Sequence, residues 1–282
     1  MSSSPPPHPH RTIRAGRDLP AAITVGVSLV AVVAAALVID KRFFLGVVVL
    51  AMLVAVVEMT AALSSGDAKV PVVPVAAAAF GIPIATYTAG TDAMVLALAI
   101  TVLATMAWRL PGGADGYVRD ASAGVLCAVY LPFMAGFAVL MLQPADGAWR
   151  VLTFIVVVAA SDTGGYAVGA TLGRHPMAAS ISPKKSWEGF AGSLAASTAA
   201  AVMLVVYALN GPWTAGLVLG AVAAVTATIG DLLESLIKRD LRIKDMSALL
   251  PGHGGLLDRL DSLIATVAPT WLLLEVLVPV AR

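Results

Sequence analysis

The sequence predicts an all-α, polytopic integral membrane protein with about nine transmembrane helices, and three observations carry that prediction. The 282 residues are 59% hydrophobic and only 12% charged, against about 25% charged in ordinary soluble domains. Apolar runs recur down the chain at close to the length needed to cross about 30 Å of hydrocarbon at 1.5 Å per residue. Lys and Arg divide unevenly between alternate connecting segments.

Residues 1–19 are Ser-, Pro- and His-rich and end in Arg11, Arg14 and Arg17. That composition predicts a disordered tail with a juxtamembrane basic cluster, in which His8 and His10 are not ligands. The apolar run at 20–39 is longer than the core of a secretory signal and is expected to be the first span. Further spans are expected near 43–63, 71–88, 93–108, 121–142, 150–170, 188–209, 214–232 and 263–280. The fourth is short enough to be re-entrant, and Pro74, Gly81 and Pro83 suggest a kink in the third. About five helices therefore fill 20–142 and about four fill a C-terminal catalytic region at 143–282. Neither a soluble domain nor an internal repeat is visible. The single cysteine, Cys127, has no partner for an intramolecular disulfide and belongs in the core or against lipid.

Nine spans sort the connecting segments onto two sides. One side takes Arg11, Arg14, Arg17, Lys69, Arg109, Arg119, Arg174, Lys184, Lys185, Lys238, Arg239, Arg242, Lys244 and Arg259; the other takes Lys41, Arg42, Arg150 and Arg282. A split of 14 to 4 places the N-terminus and the charged C-terminal segment in the cytoplasm of a cell with the protein in its plasma membrane. Trp108, Trp149, Trp187 and Trp213 fall near span ends, where amphipathic rings favour the headgroup region. A formal net charge of +1 carries no information about partners.

Charge is concentrated in residues 230–262. Six acids (Asp231, Glu234, Asp240, Asp245, Asp258, Asp261) and five bases (Lys238, Arg239, Arg242, Lys244, Arg259) sit there, 11 of the chain's 35 charged side chains. Charge this dense beside hydrocarbon needs a use or a hydrated setting. Asp231, Glu234, Ser235 and Lys238 are spaced to share one helical face, either as a functional face or as a solvated amphipathic extension of the eighth span. Pro251-Gly252-His253-Gly254-Gly255 permits a tight turn whose amides can face a phosphate. Asp258 and Asp261 follow at i and i+3, able to share a cation or simply to complement a helix dipole.

Two upstream segments join these. In Ser161-Asp162-Thr163-Gly164-Gly165-Tyr166, an acid lies towards the cytoplasmic end of the sixth span beside glycines that allow close approach, or close helix packing. In Ser182-Pro183-Lys184-Lys185-Ser186-Trp187-Glu188-Gly189, two lysines and two hydroxyls precede a helix N-terminus. They suit a phosphate, although Ser186 also suits an N-cap and the lysines suit anionic headgroups. Glu58 and Glu275 lack polar neighbours in sequence and are expected to be pairing or interface groups. Carboxylates with cations and amides on one side match what Mg²⁺ takes, one or two carboxylates plus phosphates and waters.

The run from Ser235 through Lys238-Arg239, Lys244-Asp245, Pro251 to Gly255 and Asp258-Arg259-Leu260-Asp261 resembles the signature of phosphatidate cytidylyltransferases, or CDP-diacylglycerol synthases, without departure. The Asp162 and Lys184-Lys185 segments resemble that family's upstream motifs. The similarity is specific over 161–262 and only compositional in the N-terminal half. It implies conversion of CTP and phosphatidic acid to CDP-diacylglycerol and pyrophosphate with Mg²⁺; a second cation and a homodimer are left open. CTP, phosphatidic acid and the lipid bilayer are the implied partners, and nucleic acid is not among them.

On that resemblance Asp231, Asp258 and Asp261 are expected to hold the metal, with Asp162 as a further candidate. Lys238, Arg239, Lys244 and His253 are expected at the chemistry, His253 as a hydrogen-bond donor to pyrophosphate. Ser182, Lys184, Lys185, Ser186, Gly252, Gly254, Gly255 and Arg259 are expected to bind substrate, the glycine turn through its amides. The acyl chains would pass between helices at Ala191, Gly192 and Ala195. A phosphomonoester with a second pKa of about 6 is already largely ionised at neutral pH, so the attacking lipid phosphate needs no general base. A transporter would place its site near the midplane between repeated halves, which are not visible here. A CTP-dependent lipid-alcohol kinase would need a base for its hydroxyl acceptor.

Overall fold

The computed structural model describes residues 19–249 and 254–280, with the side chains of 19–27 and 29 left out. The expectations for the tail at 1–18, including His8, His10, Arg11, Arg14 and Arg17, and for Pro251, Gly252, His253 and Arg282 lie outside the described residues. The chain is built of helices α1 (Leu19–Ile39), α2 (Lys41–Ser65), α3 (Val72–Trp108), α4 (Tyr117–Ala128), α5 (Met134–Leu142), α6 (Gly147–Leu172), α7 (Trp187–Tyr207), α8 (Trp213–Asp240) and α9 (Leu257–Leu277). Among the described residues seven helical stretches are long and apolar enough to cross a membrane. The protein is thus an all-α, multi-pass membrane protein. One small exception was not foreseen: β1 (Pro176–Ala178) and β2 (Ser182–Ser186) form an antiparallel hairpin between α6 and α7.

α3 is a hairpin of two helical arms. Gly90 has φ 74° and ψ −154°, a backbone conformation in which a side chain is strained. The chain doubles back there, because a Cβ built on Gly124 would lie 3.0 Å from Pro71 and 2.5 Å from Thr105, the two ends of α3. The backbone stays helical through Pro83, so the third span has no kink at its prolines, and the break at Gly90 falls in the gap expected between the third span (71–88) and the fourth (93–108). α4 runs into α5 through a π turn at Val129–Phe133 containing Pro132, a wider turn that accommodates a residue with no N–H to donate.

The connecting segments gather at two ends of the bundle. At one end Lys41 Nζ donates to the carbonyls of Gln143 and Pro144, and Gln143 Nε2 donates to Thr86 O at 2.8 Å. Arg150, only 2% exposed, belongs to this end. It pairs with Asp146 at 2.8 Å and donates to Val278 O at 2.6 Å, just past the end of α9, and to Leu274 O at 3.2 Å, which also accepts from Val278 N. At the opposite end Lys69 N donates to Asp120 at 2.9 Å, Asp120 pairs with Arg109 and Arg119, and Arg239 Nε donates to Ile181 O at 3.4 Å.

Between the ends the core is Ala, Val, Leu and Met, with Cys127 fully buried in it. Trp108, Trp149, Trp187 and Trp213 are each at least half exposed and sit in the first or last turn of a helix, as anchors should. α6 and α7 meet through glycines. A Cβ on Gly192 would lie 2.6 Å from Gly164 O, and one on Gly164 would lie 2.6 Å from Gly192 O. Gly192 is therefore spent on helix packing, which corrects the expectation that acyl chains pass beside it. Ala191 and Ala195 face outward.

Candidate active site

The hairpin and the start of α7 form one wall. Ser186 is the N-cap of α7, its Oγ accepting from Gly189 N at 3.1 Å. Glu188 in the first turn reaches back to the amides of Arg174 at 3.1 Å and His175 at 3.2 Å, tying the chain before β1 to the helix. This fixes β2, whose Lys184 is exposed while Lys185 turns inward to pair with Asp231 of α8 and to donate to Thr228 O at 3.4 Å.

α8 and α9 form the floor. Gly230 lets them close, since a Cβ there would lie 2.6 Å from Asp261 O. Asp261 is thereby brought within hydrogen-bonding reach of both Asp231 and Glu234. Glu234 is fully buried; it pairs with Lys238 at 3.1 Å, and its Oε2 has no hydrogen-bond partner among the described residues. From α6, Asp162 comes alongside and accepts from Ser262 Oγ at 3.3 Å.

These elements enclose an open cavity of about 440 Å³ that reaches the surface beside exposed Tyr166. Asp162, Lys184, Lys185, Ser186, Asp231, Asp258, Arg259 and Asp261 all line it, together with apolar Met177 and Phe190. Eight of the expected site residues, drawn from four elements, are thus brought together. Ser182, Arg239, Lys244, Gly254 and Gly255 are not on its wall, and Lys238 stands behind Asp258. Lys244 is exposed in the segment joining α8 to α9.

The α9 N-terminus is occupied from within. Asp258 accepts from Lys238 Nζ at 2.7 Å, Gly255 N at 2.8 Å and Met246 N at 2.9 Å. The amides of Leu256 and Leu257 go to Glu58 of α2, at 3.0 Å and 2.8 Å. The amides from Gly255 to Leu257 therefore serve carboxylates of the protein itself, where the glycine turn had suggested a cradle for phosphate. Gly254 has φ 83°, a turn conformation suited to glycine. Glu58, read from sequence as lacking polar company, has three hydrogen-bond donors, all about 190 residues away in the chain and invisible to local pattern. Glu275 is exposed on α9.

Asp231, Glu234 and Asp261 bring three carboxyl groups together beside Lys185 and Lys238, and Glu234 Oε2 has no hydrogen-bond partner among the described residues. Among the described residues no three His, Cys, Asp or Glu side chains are arranged to hold an ion unaided. Two carboxylates completed by substrate phosphates and water suit a divalent cation such as Mg²⁺, so Asp231 and Asp261 fit the group.

A profile described as the cytidylyltransferase family matches residues 20–277. A curated phosphatidate cytidylyltransferase of Mycobacterium bovis is 40% identical over 280 residues, covering 94% of this chain and 91% of its own. One of Mycobacterium leprae is 41% identical over 283 residues, covering 94% and 90%. One of Haemophilus influenzae is 37% identical over 147 residues, covering 49% and 51%.

Proposed function

This chain belongs to the cytidylyltransferase family, and we propose that it condenses CTP with phosphatidate to give CDP-diacylglycerol and pyrophosphate. The observation that carries the reading is the cavity that Lys185, Asp231, Asp261 and Asp162 line together with Tyr166, Met177 and Phe190. A lipid phosphate oxygen attacks the α-phosphorus of CTP. The new P–O bond forms as the bond to the β-phosphate oxygen breaks, and pyrophosphate leaves with the electron pair. Both reactants are anions and the nucleophile is already ionised, so the protein's work is to bring them together and offset their charge. Lys184, Lys185 and Arg259 are the cations on the cavity wall for that purpose. Lys238 acts on the wall through Asp258. Asp231 and Asp261 would hold Mg²⁺, which supplies further charge neutralisation at the phosphates.

α1, α2, the two arms of α3, the α4–α5 helix and α6 to α9 amount to nine crossings, with the cavity at the cytoplasmic face of the plasma membrane. The gathering of alternate connections at opposite ends supports this count. So does their charge: Lys69, Arg109, Arg119, Arg174, Lys184, Lys185, Lys238, Arg239, Arg242, Lys244 and Arg259 fall at the cavity end, against Lys41, Arg42 and Arg150 at the other. A cytoplasmic site gives a soluble nucleotide and a bilayer lipid access to one cavity.

Purified protein in detergent, supplied with CTP, phosphatidic acid and Mg²⁺, is expected to form lipid-linked CMP and pyrophosphate in equal amounts. Formation of CDP and a newly phosphorylated lipid would contradict the reading and indicate a kinase.

A further inference from the structure

Glu58 lies in α2, is 4% exposed and does not line the cavity. A carboxylate buried in a membrane helix is costly unless its oxygens are satisfied. Here both are, by the segment joining α8 to α9. Oε1 accepts from Ser247 Oγ at 2.6 Å and Leu256 N at 3.0 Å, and Oε2 accepts from Leu257 N at 2.8 Å. The two amides belong to the start of α9, where helical N–H groups have no carbonyl of their own helix to bond, and a negative charge there complements the dipole. Gly255 makes the approach possible, since a Cβ at that position would lie 2.9 Å from each Glu58 oxygen.

Asp258 grips the same turn through Gly255 N and Met246 N while its other oxygen holds Lys238. Two carboxylates, one from a distant helix and one from within, thus fix the turn from which Asp258, Arg259 and Asp261 reach the cavity. We infer that Glu58 is a positioning residue for nucleotidyl transfer: by holding Leu256, Leu257 and Ser247 it sets the placement of Asp258 and Asp261 at the cavity, with Lys238 behind Asp258. The inference rests on the reaction and site assigned above. It also gives the N-terminal half of the chain a part in the chemistry.

The test is steady-state kinetics of the full-length protein in detergent, expressed per folded molecule from size-exclusion quantification. Glu58→Gln keeps size and one acceptor but turns an amide NH₂ towards a donor, so the turn should shift. A displacement near 1 Å at reacting groups lowers turnover by about 100-fold, and kcat should fall by about 10- to 100-fold. KM for phosphatidate should stay within about twofold, because the lipid's own contacts are untouched. Glu58→Asp, which retains the charge, should recover part of the loss.

A double-mutant cycle provides the second arm and guards against poor folding of any one variant. Glu58→Ala and Gly255→Ala each break the same contact, so the double variant should be no slower than the slower single one. Unchanged kcat per folded molecule in Glu58→Gln, or additive losses in the cycle, would overturn the inference. Absence of turnover in the wild-type protein would instead strike the assigned reaction.

Discussion

Replacing Lys185 with Met separates catalysis from stability at the cavity. Lys185 pairs with Asp231, but the two side chains are 23% and 37% exposed, and its bond to Thr228 O is long at 3.4 Å. A pair this accessible to water contributes about 0–1 kcal/mol to stability. Met keeps most of the apolar stem, so packing changes little. The effect on the reaction should be far larger. A cation placed where charge develops on departing pyrophosphate is worth about 10²- to 10³-fold in turnover, or about 3–4 kcal/mol. Initial rates of CMP transfer to phosphatidic acid, measured beside thermal unfolding in the same detergent, should show that contrast. Lys185→Arg should recover only part of the rate, since a planar guanidinium seats differently from a compact ammonium. A Lys185→Met rate within about threefold of wild type, or a loss no greater than the loss of folded protein, would refute the reasoning.

Asp231→Asn and Asp261→Asn should each abolish turnover while leaving the elution profile unchanged, and chelation of divalent cations should do the same reversibly on addition of Mg²⁺. Arg150→Met, at the end of the bundle away from the cavity, should lower stability by about 1–3 kcal/mol by leaving Val278 O and Asp146 without the Arg150 donor, with turnover per folded molecule unchanged. Gly90→Ala should lower the unfolding temperature through about 1–3 kcal/mol of backbone strain at the α3 bend, again without altering turnover per folded molecule.

Much of the fold was legible because hydrocarbon imposes a simple rule: long apolar runs become helices, and cations and Trp residues collect at their ends. α2 (41–65) was expected at 43–63 and α7 (187–207) at 188–209 for that reason. Small polar features escaped the rule. The β1–β2 hairpin carries too few residues to show a strand period, and the kink that Pro74 and Pro83 suggested is absent, whereas the bend at Gly90 lies in the gap expected between the third and fourth spans.

The site divides along the same line. Lys185, Asp231 and Asp261 could be picked out because each sits in a local cluster of charge. Their meeting could not, since it depends on Gly230 drawing α8 onto α9 and on Ser186 and Glu188 anchoring the hairpin. Glu58 was expected to be a pairing or interface group and is one, but its partners could not be named because they are distant in the chain. The amides after Gly254 were expected to face substrate because a glycine turn does not reveal which anion already occupies it; Glu58 and Asp258 do.

The central claim is that a lipid phosphate attacks the α-phosphorus of CTP. It is tested most directly by supplying the purified protein with phosphatidic acid, Mg²⁺ and CTP labelled at either the α- or the γ-phosphorus. The account predicts α-label in the lipid and γ-label in pyrophosphate. Gamma-label in the lipid would contradict it.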